Sequence, residues 1–119
     1  MYDLRNALSI RAENVINGNP DLNVRYSVYT DDRTEWGVLS IQNENDKVVG
    51  LEFFESEDSW RRPEAVRDYT YAADEGYPVA VVVPDNVFRD FRRAAVDRGG
   101  EGFSTYLYSD MGIGPTVRM

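Results

Sequence analysis

The run Val48-Val49-Gly50-Leu51-Glu52-Phe53-Phe54 is apolar apart from Glu52, and a lone carboxylate in a strand-like segment is a residue type that holds a divalent cation or moves a proton. Acids that could complete a centre stand upstream at Asp31, Asp32 and Glu35, and downstream at Glu55, Glu57 and Asp58. The matching cation is scarce. Lys47 is the only lysine of the 119 residues and falls on the opposite face from Glu52 by strand alternation, whereas Arg61 and Arg62 follow the acidic loop. The chain has neither Cys nor His, which excludes disulfides, zinc sites of the usual ligand types, thiol nucleophiles and His-based triads. Catalysis would have to run on carboxylates, Arg, Tyr or Lys47.

Each of these residues also has a plainer reading. Glu52 shares a face with Val48, Gly50 and Phe54, and an acid there is more simply one at a solvated or helix-flanked position, paired with an arginine. Glu55, Glu57 and Asp58 read as a solvated loop approaching a helix N-terminus, where the dipole favours negative charge. Arg89, Arg92 and Arg93 fall at i, i+3 and i+4, and with Arg98 make the densest basic face in the chain, suited to phosphate or to an acidic partner. Asp90 and Asp97 interleave with them, so a solvated helix face is the simpler expectation. Tyr69, Tyr71, Tyr77, Tyr106 and Tyr108, with Trp36 and Trp60, are expected to divide between the core and an exposed recognition surface.

Net charge narrows the partners. At −8 the chain repels bulk polyanions, which disfavours nonspecific nucleic-acid coating and leaves room for a local basic face. The basic residues are almost all arginine and aspartate outnumbers glutamate, a bias that either a high-salt host or a GC-rich genome produces. No apolar run reaches the roughly 20 residues of a membrane helix, and Met1 to Ile16 is amphipathic with acids where a signal peptide is apolar. A soluble, cytoplasmic protein without membrane partners is the expectation.

The elements that must position these residues follow from periodicity. Leu4, Leu8, Ala12 and Val15 recur at helical spacing until Asn17-Gly18-Asn19-Pro20 stops them. From Leu22 the period becomes two, giving a strand, then a polar turn over Thr30 to Thr34, a second strand at about Trp36 to Gln42 and a third from Lys47 to Phe54. Pro63 suits the first turn of a second helix whose buried face is Ala65, Val66, Tyr69, Ala72 and Ala73, ending at Gly76. Val79 to Val83 is apolar throughout, as a central strand covered on both faces would be. Asp85 is placed to cap a third helix burying Val87, Phe88, Phe91, Ala94 and Ala95, and a short strand from Phe103 to Tyr108 follows. The spacing predicts one domain over 1–119 with a core of about 1–109 and a flexible tail from about 110. Its class is α/β, a mixed sheet flanked by helices in the order α-β-β-β-α-β-α-β, with right-handed crossovers where strands run parallel.

A helix, a three-strand meander, a crossover helix and a fourth strand over roughly residues 1 to 84 resemble the common core of the PD-(D/E)XK, or restriction endonuclease-like, nuclease superfamily. The same short order of elements occurs in double-stranded-RNA-binding domains, but the continuous apolar fourth strand and the acidic total favour the nuclease-like core. The resemblance implies a third strand with Glu or Asp, one spacer and Lys, and an Asp on or before the second strand, the acids holding magnesium and the lysine activating water. Leu51-Glu52-Phe53-Phe54 supplies the acid but has Phe54 in the lysine position, and Trp36 to Gln42 has no acid, so only Asp31, Asp32 or Glu35 could stand in. The resemblance therefore implies a nuclease-like fold whose nuclease site is degenerate.

The leading expectation is a non-catalytic nuclease-like domain that binds a protein partner or self-associates as a homodimer, with no cofactor. The alternatives are a magnesium-dependent nuclease rearranged around Glu52, Asp32 and Glu35, and a non-catalytic nucleic-acid binder using Arg89, Arg92 and Arg93.

Overall fold

Asp3 opens the first helix by accepting a hydrogen bond from the Asn6 amide at 3.2 Å. This helix, α1 (Leu4–Gly18), is the first element of the computed structural model, which describes residues 2–115. It buries Leu4, Ala7, Leu8 and Val15, the stripe that its spacing predicts.

Strand β1 (Asn23–Asp31) pairs antiparallel with β2 (Thr34–Gln42) over its full length, from Asn23 opposite Gln42 to Asp31 opposite Thr34. The connection is only Asp32-Arg33, shorter than the polar turn read from Thr30 to Thr34. Polar side chains mark exposure, and at a sheet edge the backbone ladder runs on beneath them. Strand β3 (Val48–Phe54) then pairs antiparallel with β2, with a register shift at Ile41/Gln42. The turn between them is built on Asn43, whose side-chain oxygen accepts from the Asn45 and Lys47 amides at 2.9 and 3.0 Å.

A 3-10 turn at Ser59–Arg61 leads into α2 (Ala65–Asp74), which Gly76 terminates at φ 96°. Strand β4 (Val79–Val83), α3 (Phe88–Asp97) and β5 (Phe103–Leu107) complete the order α-β-β-β-α-β-α-β. The described residues form one mixed five-stranded sheet, β1-β2-β3-β4-β5, with β3, β4 and β5 mutually parallel and helices on both faces. Asp85 does not cap α3 through its side chain. A 3-10 turn at Asp85–Val87 intervenes, and the Asp85 carboxylate accepts from the Ser109 amide at 3.1 Å, tying the start of α3 to the end of β5. Of the tail read from about 110, Ile113 is buried in the core beside Leu8 and Tyr108, and residues 116–119 lie outside the described residues.

The layers are offset. Leu4, Ala7 and Leu8 of α1 pack with Leu39, Phe54 and Val82 on one face, over the β1 and β2 half of the sheet. Helices α2 and α3 pack Val66, Tyr69, Phe91 and Ala95 against Phe53, Val81 and Val83 on the other face, with α2 over the β4 and β5 half and α3 against the Ser59–Arg61 turn. Each sheet face is therefore left open at one end. Among the described residues no helix is long and apolar enough to cross a membrane.

Candidate functional site

Glu52 sits in the middle of β3, opposite Leu39 of β2 and beside Ala80 of β4, on the face that α1 covers. It is 6% exposed. Arg11, on the buried side of α1, grips it with two parallel bonds, Nε to Oε1 at 2.9 Å and Nη2 to Oε2 at 2.7 Å. This is the fork-to-carboxylate geometry that fixes both groups most firmly. The hydrogen bond to Glu52 raises the Arg11 pKa more than partial burial lowers it, so the guanidinium stays charged. The pair forms part of the floor of an open groove of about 1000 Å³ on the end of the α1 face that α1 leaves bare, with Gly50, Ala80, Ser104 and Tyr106.

The other residues of the expected metal set do not join it. Glu35 is four positions along β2 from Leu39, which is about 13 Å at strand rise, and its Oε2 pairs with Arg5 Nη2 at 3.3 Å. Asp32 is exposed in the β1–β2 turn, and Asp31 lies opposite Thr34 at the end of the hairpin. Lys47 is exposed, one residue before β3 begins, and Phe54 is buried in the core beneath α1. Among the described residues no three acidic side chains gather as a metal ion would require. Glu52, Asp32 and Glu35 thus do not fit a common cation.

A second polar centre lies where the sequence suggests only a solvated acidic loop. Glu55 is fully buried just past the end of β3, while Asp58 is exposed and Glu57 partly so. Its amide extends the β3–β4 ladder by donating to Val82 O at 2.9 Å. Its Oε1 accepts from Ser59 Oγ at 2.7 Å and from Arg62 Nη1 at 2.5 Å, its Oε2 accepts from the Tyr69 hydroxyl, and its backbone carbonyl accepts from the Tyr108 hydroxyl at 2.6 Å. Burial, reinforced by the Glu55 charge, pushes the Tyr69 phenol well above its ordinary pKa and raises Tyr108 as well. Arg62 is 5% exposed, stacks over the Trp36 ring at 3.8 Å, and has Nε and Nη2 buried without a hydrogen-bond partner.

This cluster joins β3, the turn before α2, α2 itself and the segment after β5. Sealed from solvent, it has no room for a substrate, and its chemistry is that of a clamp. Removing one partner of such a buried pair costs about 3–5 kcal/mol. No local signal marked it, because Glu55 stands next to Glu57 and Asp58 in sequence and its donors come from as far as Tyr108.

Arg89, Arg92 and Arg93 are exposed on the outer side of α3, where Phe91 and Ala95 face the core, as the spacing predicts. None forms an ion pair among the described residues, despite Asp90 and Asp97 nearby. Arg98 turns back to donate to the Arg62 carbonyl at 3.2 Å. The aromatics divide as expected: Trp60, Tyr69 and Tyr108 are buried, whereas Tyr71, Tyr77 and Tyr106 are exposed. No protein-family model matches the chain, and neither the curated proteins nor the solved structures include a match to it.

Proposed function

We propose that this chain is a non-catalytic α/β domain with a nuclease-like core, acting by binding a protein partner or a further copy of itself. The observation that carries the reading is the Arg11–Glu52 pair. A nuclease needs its strand carboxylate turned to a cation and a lysine two positions on; here the carboxylate is held by a fork of two charged hydrogen bonds and Phe54 occupies the lysine position. Displacing Arg11 would leave a guanidinium half-buried and unpaired, a cost that cation binding would have to meet.

Binding surfaces are present in quantity. Among the described residues the outer edges of β1 and β5 pair with no further strand, the bare ends of the two sheet faces expose Tyr29 and Tyr106, and Tyr26 is exposed on the outermost strand. Aromatic side chains in such places serve as anchors for partners. The unpaired arginines of α3 favour a second reading, a non-catalytic binder of nucleic acid, against which the net charge of −8 weighs.

The test is a titration of the protein with magnesium and then manganese, followed by amide NMR, with labelled single- and double-stranded DNA in parallel. The expected outcome is no localised shift around Glu52 and no cutting. Cutting that Glu52→Gln abolishes would overturn the reading, and DNA binding that weakens steeply with added salt and with Arg92→Ala would favour the second one.

A further inference from the structure

From the free edge of β1 we infer that the partner is a second copy of this chain, added antiparallel through β1 about a two-fold axis at Val28, with Arg25 of each copy opposite Asp31 of the other. The inference rests on the binding-domain reading above and specifies its occupant. Natural edge strands are blunted by shortness, proline, bulges or charged side chains. Of these β1 has only charge, Arg25 and Asp31, which are opposite in sign: it runs nine residues, pairs with β2 without a register shift, and contains no proline. The competing edge, β5, is five residues long.

Strand geometry restricts how two copies of β1 can meet. A two-residue loop closes on a hydrogen-bonded pair, here Asp31 with Thr34, so Arg25, Ser27 and Tyr29 bond to β2 while Val24, Tyr26, Val28 and Thr30 direct their amides and carbonyls to the open edge. A two-fold at Val28 makes Val28 meet its own copy and Tyr26 meet Thr30 as hydrogen-bonded pairs, using three of the four outward residues, with Val24 opposite Asp32 at the hairpin end. In the same register Arg25 faces Asp31 as a non-hydrogen-bonded pair, the closer kind. Tyr29 then faces Ser27 with Arg25 of the partner copy diagonal to it, within reach of a cation–π contact. No like charges face each other.

The side chains are free for these roles. Tyr26 and Tyr29 are 43% and 48% exposed, and neither Arg25 nor Asp31 has an ion-pair partner among the described residues. Tyr29 is already braced, stacked on Trp36 at 6.0 Å, which in turn lies under Arg62. A strand pair alone falls short of the roughly 1,200 Å² of a stable complex. Helix α1 packs on both β1 and β2, so at a strand spacing of about 4.8 Å the two copies of α1 lie about 10 Å apart, the distance at which helices pack.

The test is sedimentation velocity over a concentration series up to about 1 mM, where even a weak dimer is populated. The wild-type chain is expected to shift from one to two chain masses. Arg25→Glu and Asp31→Arg, both at exposed positions, should each weaken the dimer at least tenfold, because each sets like charges opposite one another. Mixing the two variants should restore it, since the mixed pair has Glu opposite Arg at one site and Arg opposite Asp at the other; unfolding cannot mimic that rescue. A wild-type chain that stays monomeric, or a dimer that the single variants leave intact, overturns the inference. Either result alongside unchanged metal and DNA assays leaves the binding-domain reading standing for another protein, whereas Glu52-dependent cutting overturns that reading at any mass.

Discussion

At Glu52 and Glu55, three residues apart, the same side chain serves two ends. Glu52 meets Arg11 at the floor of a groove, and Glu55 is sealed beneath Ser59, Arg62 and Tyr69. The buried phenols around Glu55 carry a pH dependence whose sign follows from their raised pKa values. An unfolded tyrosine ionises near pH 10, but Tyr69 and Tyr108 hold their protons to higher pH when folded. Their contribution to stability is therefore complete below about pH 10 and is lost as pH rises toward the folded values. Thermal melts are expected to be flat in this respect up to about pH 10 and to fall beyond it, and Tyr69→Phe should make that alkaline decline shallower. A melting profile as steep in the variant as in the wild type would remove Tyr69 from the account.

At the scale of elements, the approach of α1 to the sheet is set by Gly37 of β2. A Cβ built there would lie 2.5 and 2.9 Å from the two methyl carbons of Leu8, which is fully buried and has nowhere to swing. Gly37→Ala is expected to cost about 1–3 kcal/mol, the range for overpacking a core. Gly50→Ala, on the same face of β3, meets Ile41 at an ordinary 3.5 Å and should leave the melting temperature close to wild type. Equal effects of the two substitutions would show that the α1–sheet spacing is not what Gly37 protects. Because α1 carries Arg11, the same spacing holds Glu52 in its pair.

The molecule as a whole couples offset layers with a strong negative charge. Helices on opposite faces cover opposite halves of the sheet, which leaves the groove at one end and the Tyr29–Trp36 surface at the other. Among the described residues the ion pairs are Arg5–Glu35, Arg11–Glu52 and Arg62–Glu55, so most of the 21 acidic side chains repel one another unpaired. Potassium chloride is therefore expected to raise the melting temperature, with most of the gain below about 1 M, where the screening length has fallen to about 3 Å. A melting temperature indifferent to salt would remove adaptation to a salty interior as the reason for the acidic, lysine-poor composition.

The order of helices and strands was legible in the amino-acid sequence because it rests on short-range pattern: the stripe Leu4, Leu8, Val15, the alternation along β1, the unbroken Val79 to Val83, and the stops at Gly18 and Gly76. Strand alternation likewise placed Glu52 and Phe54 on one face, and the arginine expected beside Glu52 was Arg11 in the event. Only the tertiary structure decided that this arginine comes from 41 residues away, that Glu35 and Asp32 stay apart from Glu52, and that Glu55 is a buried clamp rather than a loop acid. Periodicity says which side chains share a face of one element. Which other element covers that face, and how deeply, depends on packing among residues distant in the chain, and it is that packing which leaves Asp58 a surface charge and makes Glu55 part of the core.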